Sequence, residues 1–141
     1  MGRTMALDLG TRRIGVAISD ELGLTAQPLT SLPRRSGRGS LEEVAALARS
    51  WGAERIVVGL PLSLDGSEGP AARGAMNFVR LLRQVVPFPV ETWDERLTTA
   101  AAQRALRALG TQPRRRKKMV DIVAAQLILQ SYLDHLHRRS P

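Results

Sequence analysis

The run AERIVVGLP at residues 53–61 constrains this chain more than any other stretch. It is short, continuously apolar and β-branched, the pattern of a strand covered on both faces of a sheet. Such a strand needs helical layers above and below it. The flanking sequence offers them. LEEVAALARSWG at 41–52 and PAARGAMNFVRLLRQVV at 70–86 both carry helical patterning. Ser40, with Glu43 three residues on, predicts a capping box for the first helix, and Gly52 closes it. Pro70 suits the first turn of the second.

The N-terminal third reads as β-structure. RTMALDLG and RIGVAISD predict two strands joined by a turn over Gly10–Arg13, a hairpin. LTAQPLTSL predicts a third strand, at an edge or irregular, because Pro28 removes a ladder donor. RRSGRGS and LSLDGSEG are loops. Pro87 and Pro89 bracket the strand PVETWDE. Thr98 or Thr99 caps a helix AAAQRALRALG that ends at Gly110, TQPRRRKK reads as a basic linker, and KMVDIVAAQLILQSYLDHLHR is the last helix. The order β-β-β-α-β-α-β-α-α predicts an α/β fold, with a mixed central sheet of about five strands flanked by helices. One domain over residues 1–141 accommodates it.

Composition excludes several functions. There are no cysteines, which removes disulfides, thiolate catalysis and thiolate zinc. No apolar run approaches the roughly 18 residues that span a bilayer, so no membrane partner is expected. Asp8 interrupts the first apolar run, so a signal-peptide layout is absent and a cytoplasmic location is expected. Aromatics are only 4% of residues, so the core must come from Leu, Val, Ile and Ala, with Trp51 and Trp93 expected inside it. The net charge of +8 is concentrated at Arg12 and Arg13, Arg34–Arg38, Arg114–Lys118, and Arg138 with Arg139. That distribution favours a polyanion, and nucleic acid is the expected partner.

Three acidic positions stand at element ends, where open α/β sheets build their sites. Asp8 sits within the first strand, Asp94 and Glu95 end the PVETW strand, and Asp121 shares a helical stripe with Ala125, Ile128 and Tyr132. A carboxylate on an apolar stripe is costly unless it is paired or bound to a cation. If the three converged, a hard divalent cation would be their natural companion, and two such ions can drive in-line attack on a phosphodiester. Each residue also has a plainer explanation. Asp94 can pair with Arg96, and Asp121 can favour a helix N-terminus. His135 and His137 sit among arginines, as at a solvated helix end. The loop GLPLSLDGSEG, with Ser67 and the helix start behind it, can hold a phosphate, although it lacks the Gly-Lys-Ser/Thr ending of a nucleotide-binding loop. The run RRRKK either contacts a phosphate backbone or is a solvated charge run. Arg12, Arg13, Ser67, Arg96, Arg114, Arg115, Arg116, Lys117 and Lys118 are the expected nucleic-acid contacts.

Four blocks, ALDLGTRRIGVAISD, VVGLPLSLDGSEGP, ETWDERLTTAAA and KKMVDIVAAQLILQSYL, resemble in order the signature blocks of the YqgF/RuvX family. The resemblance runs from about Thr4 to Leu133. It implies an RNase H-like fold and a metal-dependent nuclease using Mg²⁺ or Mn²⁺. By position it assigns the catalytic and metal-binding carboxylates to Asp8, Glu95 and Asp121, with Asp94 the rival of Glu95. Ser63 stands where the family often has Asn, and TRR replaces a common Lys-Arg pairing. The implied partner is an rRNA precursor or, alternatively, branched DNA such as a Holliday junction, bound by a monomer or homodimer. A non-catalytic nucleic-acid-binding factor in transcription or ribosome assembly is the reading from another class.

Overall fold

The structure, a computed structural model, describes residues 2–36, 38–98 and 114–139. Its strands are β1 (Arg3–Leu9), β2 (Arg13–Ser19), β3 (Ala26–Pro33), β4 (Ala53–Leu60) and β5 (Val90–Asp94). Its α-helices are α1 (Gly39–Ser50), α2 (Pro70–Leu82) and α3 (Arg114–Arg139), and a 3₁₀ turn covers Glu95–Leu97. The strands form one sheet in the order β3-β2-β1-β4-β5. β2 is antiparallel to both neighbours, while β1, β4 and β5 are parallel. The expected hairpin, mixed five-stranded sheet and edge position of β3 are therefore all present, and the fold is RNase H-like.

Alternation along the strands divides the molecule into layers. Met5, Leu7, Ile14, Val16, Ile56 and Val58 point to one face and pack with Leu41, Val44, Phe78 and Val79 of α1 and α2. Ala6, Ala17 and Val57 point to the other and meet Ala124, Ala125, Ile128 and Leu129 of α3. The sheet residues under α3 are small. That lets the helix backbone approach the strands closely, which becomes decisive at the site.

Several local expectations differ. Ser40 does not cap α1, whose first turn begins before it and whose N-cap, Arg38, makes no side-chain cap bond. Instead the Ser40 hydroxyl accepts from the Arg35 amide at 2.7 Å and donates to the Arg35 carbonyl at 3.1 Å, while Glu43 takes the Arg35 guanidinium. The loop backbone thus outcompetes the helix end for that hydroxyl. Gly52 does close α1, at φ +67, the left-handed conformation that glycine adopts without strain. α2 stops at Leu82 rather than at Val86, and 83–86 form a turn before Pro87, because a residue preceding proline is disfavoured in a helix. The RRRKK run is no linker but the opening of α3, in keeping with the helix propensity of Arg and Lys. Trp51 lies outside the core, 41% exposed, with the Arg3 guanidinium 5.9 Å above its ring. Trp93 is half-buried against Tyr132, edge to face at 5.7 Å. The helix expected at 100–110 lies outside the described residues.

Candidate active site

Asp8 is completely buried, at 0% exposure, in the central strand. Its neighbour on β2 is Gly15, and Gly15 in turn faces Ser31 on β3. On the other side the β1–β4 register, with Leu7 opposite Val58, brings Gly59 alongside Asp8, and Gly59 faces Trp93 on β5. Laterally paired residues share a face. A single row, Ser31–Gly15–Asp8–Gly59–Trp93, therefore crosses the whole sheet beneath α3, with a glycine on each side of the aspartate.

Each glycine is where another acidic residue arrives. A Cβ on Gly15 would stand 2.0 Å from the Asp121 carbonyl oxygen, so the α3 backbone rests directly on that glycine. A Cβ on Gly59 would stand 3.2 Å from the carboxyl carbon of Glu95 and 2.5 Å from Cδ1 of Ile128. Asp121 and Glu95 thus flank Asp8 from opposite sides, at 3% and 1% exposure. Asp121 lies about two turns inside α3, too far for the helix N-terminus to account for it. Its stripe partners Ala125, Ile128 and Tyr132 are all buried as expected. Among the described residues, no three acidic or histidine side chains already form a closed cage around a point. Asp8, Glu95 and Asp121 are each buried, and carboxylates are hard oxygen donors of the type that suits Mg²⁺ or Mn²⁺.

Asp94 takes a different part. Its Oδ1 accepts from the Arg96 amide at 2.9 Å, capping the 3₁₀ turn, and its Oδ2 lies 2.7 Å from the Arg96 guanidinium. The hydrogen bond from that guanidinium is the main reason its carboxyl titrates below the ordinary 3.8. The pairing of Asp94 with Arg96 is as expected. The strand ends at Asp94, and Glu95, one residue on in the 3₁₀ turn, is the member of the pair that is buried.

Arg96 also reaches the 61–69 loop, donating to the Leu64 carbonyl at 3.3 Å. That loop is closed on itself. The Ser63 amide donates to Ser67 and the Gly66 amide to Ser63, with Gly66 at φ +87. The Ser67 amide donates to Asp65 at 2.9 Å, and hydrogen bonding from Ser67 holds the Asp65 carboxyl below 3.8. The Ser67 amide expected to serve a phosphate is thus directed at Asp65, as is the hydroxyl of this exposed residue.

β1, β3, β4 and β5 run in one direction, so the segments that follow them share one edge of the sheet. Beyond that edge lie exposed Arg12, half-buried Arg13, the 61–69 loop and the Arg96 turn. α3 comes to the same edge. Gln126 donates to the Ala26 carbonyl and Gln130 accepts from the Ala26 amide, so α3 descends toward the start of β3. Its opening residues, Arg114 through exposed Lys118, therefore precede Asp121 on the side of the carboxylates. Of the two histidines, His137 is at the opposite end, while His135 lies beside β5. His137 Nε2 is 2.9 Å from the Gly23 carbonyl, and the His135 ring lies 5.2 Å from that of Trp93.

The sequence reading passed over Gly15 and Gly59. A glycine inside a strand is the available signal, since it marks a close approach of backbone or side chain. Tyr132, expected only as a member of the Asp121 stripe, also uses its hydroxyl, which accepts from Arg55 at 2.8 Å and donates to Glu91 at 2.7 Å.

Comparison with known proteins shows the family and the fold. Residues 2–135 match the family described as RuvX, Holliday junction resolvase. A protein of Syntrophus aciditrophicus named "Putative pre-16S rRNA nuclease" is 49% identical over 132 residues, covering 94% of this chain and 88% of its own. One of the same name from Moorella thermoacetica is 49% identical over 134 residues, covering 95% and 96%. Among solved structures, Thermus thermophilus RuvC in complex with a Holliday junction substrate superposes with a TM-score of 0.54 at 14% identity, over 96% of each chain. That likeness is one of fold.

Proposed function

The chain belongs to the RuvX family, and from that premise we propose that Asp8, Glu95 and Asp121 form the divalent-metal site of an endonuclease that matures the 5′ end of pre-16S rRNA. The observation that supports this reading is the pair of glycines flanking Asp8: the Asp121 backbone rests against one and the Glu95 side chain against the other, and all three acids are buried. Carboxylates ionised close together in a low dielectric would repel one another, and a divalent cation would offset that cost. When bound, Mg²⁺ or Mn²⁺ would lower the pKa of the attacking water and stabilise the leaving 3′ oxygen. The protein's contribution is placement. Asp8 stands on the central strand, paired on both sides, and Glu95 and Asp121 stand on the 3₁₀ turn and on α3. The helix and sheet between them keep bulk water from the carboxylates. Arg12, Arg13 and the Arg114–Lys118 turn would hold phosphates and fix register, which carries no base specificity. Arg96, already paired with Asp94, would act mainly by fixing the loop and turn.

A branched-DNA substrate is the second reading, favoured by the description of the family and by the fold shared with RuvC. The curated relatives, similar along nearly their whole length, favour RNA. Among the described residues no helix is long and apolar enough to cross a membrane, and rRNA maturation would place the protein in the cytoplasm. The test is a cleavage panel under Mg²⁺ and Mn²⁺ with a pre-16S rRNA fragment, a mobile four-way junction and linear controls. Cutting of the RNA, lost on chelation, is expected. Symmetrical nicking of the junction with the RNA intact would reverse the order and require two sites, hence a homodimer. Metal-dependent cutting of neither, with tight binding to both, would make the protein a non-catalytic factor.

A further inference from the structure

We propose that Gly15 and Gly59 are positioning residues that set the spacing of the carboxylates around Asp8, so that metal affinity depends on the absence of a side chain at those two places. This rests on the reading of Asp8, Glu95 and Asp121 as the metal site.

The two glycines are not turn residues. Both lie within strands, where glycine costs stability, and neither has the positive φ that would require it. What each has is a close approach on the face toward α3. At Gly15 the nearest atoms to an added Cβ are backbone, the Asp121 carbonyl oxygen at 2.0 Å and its carbon at 2.3 Å. Backbone cannot swing aside, so even alanine would lift α3 at the residue that carries Asp121. At Gly59 the nearest atoms are side chain: Ile128 Cδ1 at 2.5 Å, then Cδ and Cγ of Glu95 at 3.2 Å. There the protein can yield without unfolding, but one of the two groups that must yield is the Glu95 carboxylate. Sheet neighbours of Asp8 thus act as spacers of zero thickness. Any side chain there widens the gap between Asp8 and its partner acid.

The decisive variant is Gly59→Ala, made alone and with Ile128→Val, which removes the atom standing closest. Mn²⁺ is titrated into the purified, metal-free protein and the rise in melting temperature is followed, a readout that needs no substrate. Gly59→Ala should fold, and its half-saturating Mn²⁺ concentration should rise by roughly 10-fold or more, as when the support of a ligand is disturbed. The rise should persist in the double variant, because Glu95 is still crowded. A normal response in Gly59→Ala, or recovery when Ile128 is shortened, would overturn the proposal and leave a packing effect only. Gly74→Ala, an α2 position where a Cβ has only Arg34 near it, at 4.0 Å, serves as the control and should titrate like the parent. Asp8→Asn separates the two layers of inference. If it too titrates like the parent, the metal site itself is elsewhere; if it loses the response while Gly59→Ala keeps it, only the spacer role fails.

Discussion

Asp94 and Glu95 are adjacent acids, and the chain uses them differently. Asp94 closes on Arg96 by side chain and backbone, while Glu95 turns under the sheet edge toward Gly59. Glu95→Gln should therefore abolish metal-dependent cleavage, whereas Asp94→Asn should lower it modestly by loosening the turn. Single-turnover rates of the two variants at saturating Mg²⁺ check this, and equal losses would place both residues on the reaction. Asp8→Asn should likewise abolish cleavage while leaving the metal-free protein as stable as the parent or slightly more so. The amide keeps nearly the same volume and would relieve any repulsion among the three acids. Thermal melts in chelator decide that part. Tyr132 offers a test at alkaline pH. Burial, followed by its hydrogen bond to Glu91, raises its hydroxyl from 10.0 to about 12. The unfolded chain gives up that proton first. The stabilisation is complete below pH 10 and is lost as pH rises toward 12. Melting temperatures of the parent should fall through that window more steeply than those of Tyr132→Phe.

At the scale of elements, the helices differ in how much they are left to local sequence. α2 carries Gly74 in its interior with free space where a Cβ would go. Gly74→Ala should stabilise the protein by about 1 kcal/mol, the intrinsic difference between the two residues in a helix. The midpoint of urea unfolding measures it, and no gain would mean that the Arg34 guanidinium resists the added methyl. α1 shows the reverse. Its start looked like a self-contained capping box, yet Ser40 and Glu43 both turn to Arg35 in the preceding loop. A motif written for one helix end was captured by a neighbouring strand exit, which no local pattern announces. α3 opens with a basic run whose composition is equally that of a solvated tail. Only continuity with the stripe through Asp121 makes it the first turn of the helix that carries the site.

Across the whole molecule, several basic segments and the three buried acids are brought toward one edge. The parallel direction of β1, β3, β4 and β5 delivers their following segments, with the arginines, to the end where the carboxylates lie. Nucleic-acid affinity should therefore depend on the basic clusters and on salt. Neutralising Arg114, Arg115 and Arg116 together should weaken binding to all sequences alike. If each contacts a duplex phosphate, the slope of log affinity against log salt should shrink by about 0.9 per lost contact. Binding isotherms at several salt concentrations give that slope, and an unchanged value would make the run a solvated helix start.

What the sequence determined by itself was whatever local periodicity and residue chemistry can encode. The doubly buried β4, the hairpin of β1 and β2, the edge placement forced by Pro28 and the apolar stripe through Asp121 are all readable because each depends on neighbours a few positions away. Asp8 and Asp121 were conspicuous as carboxylates within apolar patterns, and both are buried, whereas the choice of Glu95 over Asp94 came from the family resemblance. Tertiary structure alone decided how they meet. Asp8 is separated by more than a hundred positions from Asp121, and what joins them is the strand register that sets Gly15 beside Asp8 and the close seating of α3 on that glycine. Register and interlayer distance arise from the packing of whole faces. A glycine in a strand reads as a weak point until the element that rests on it is in place.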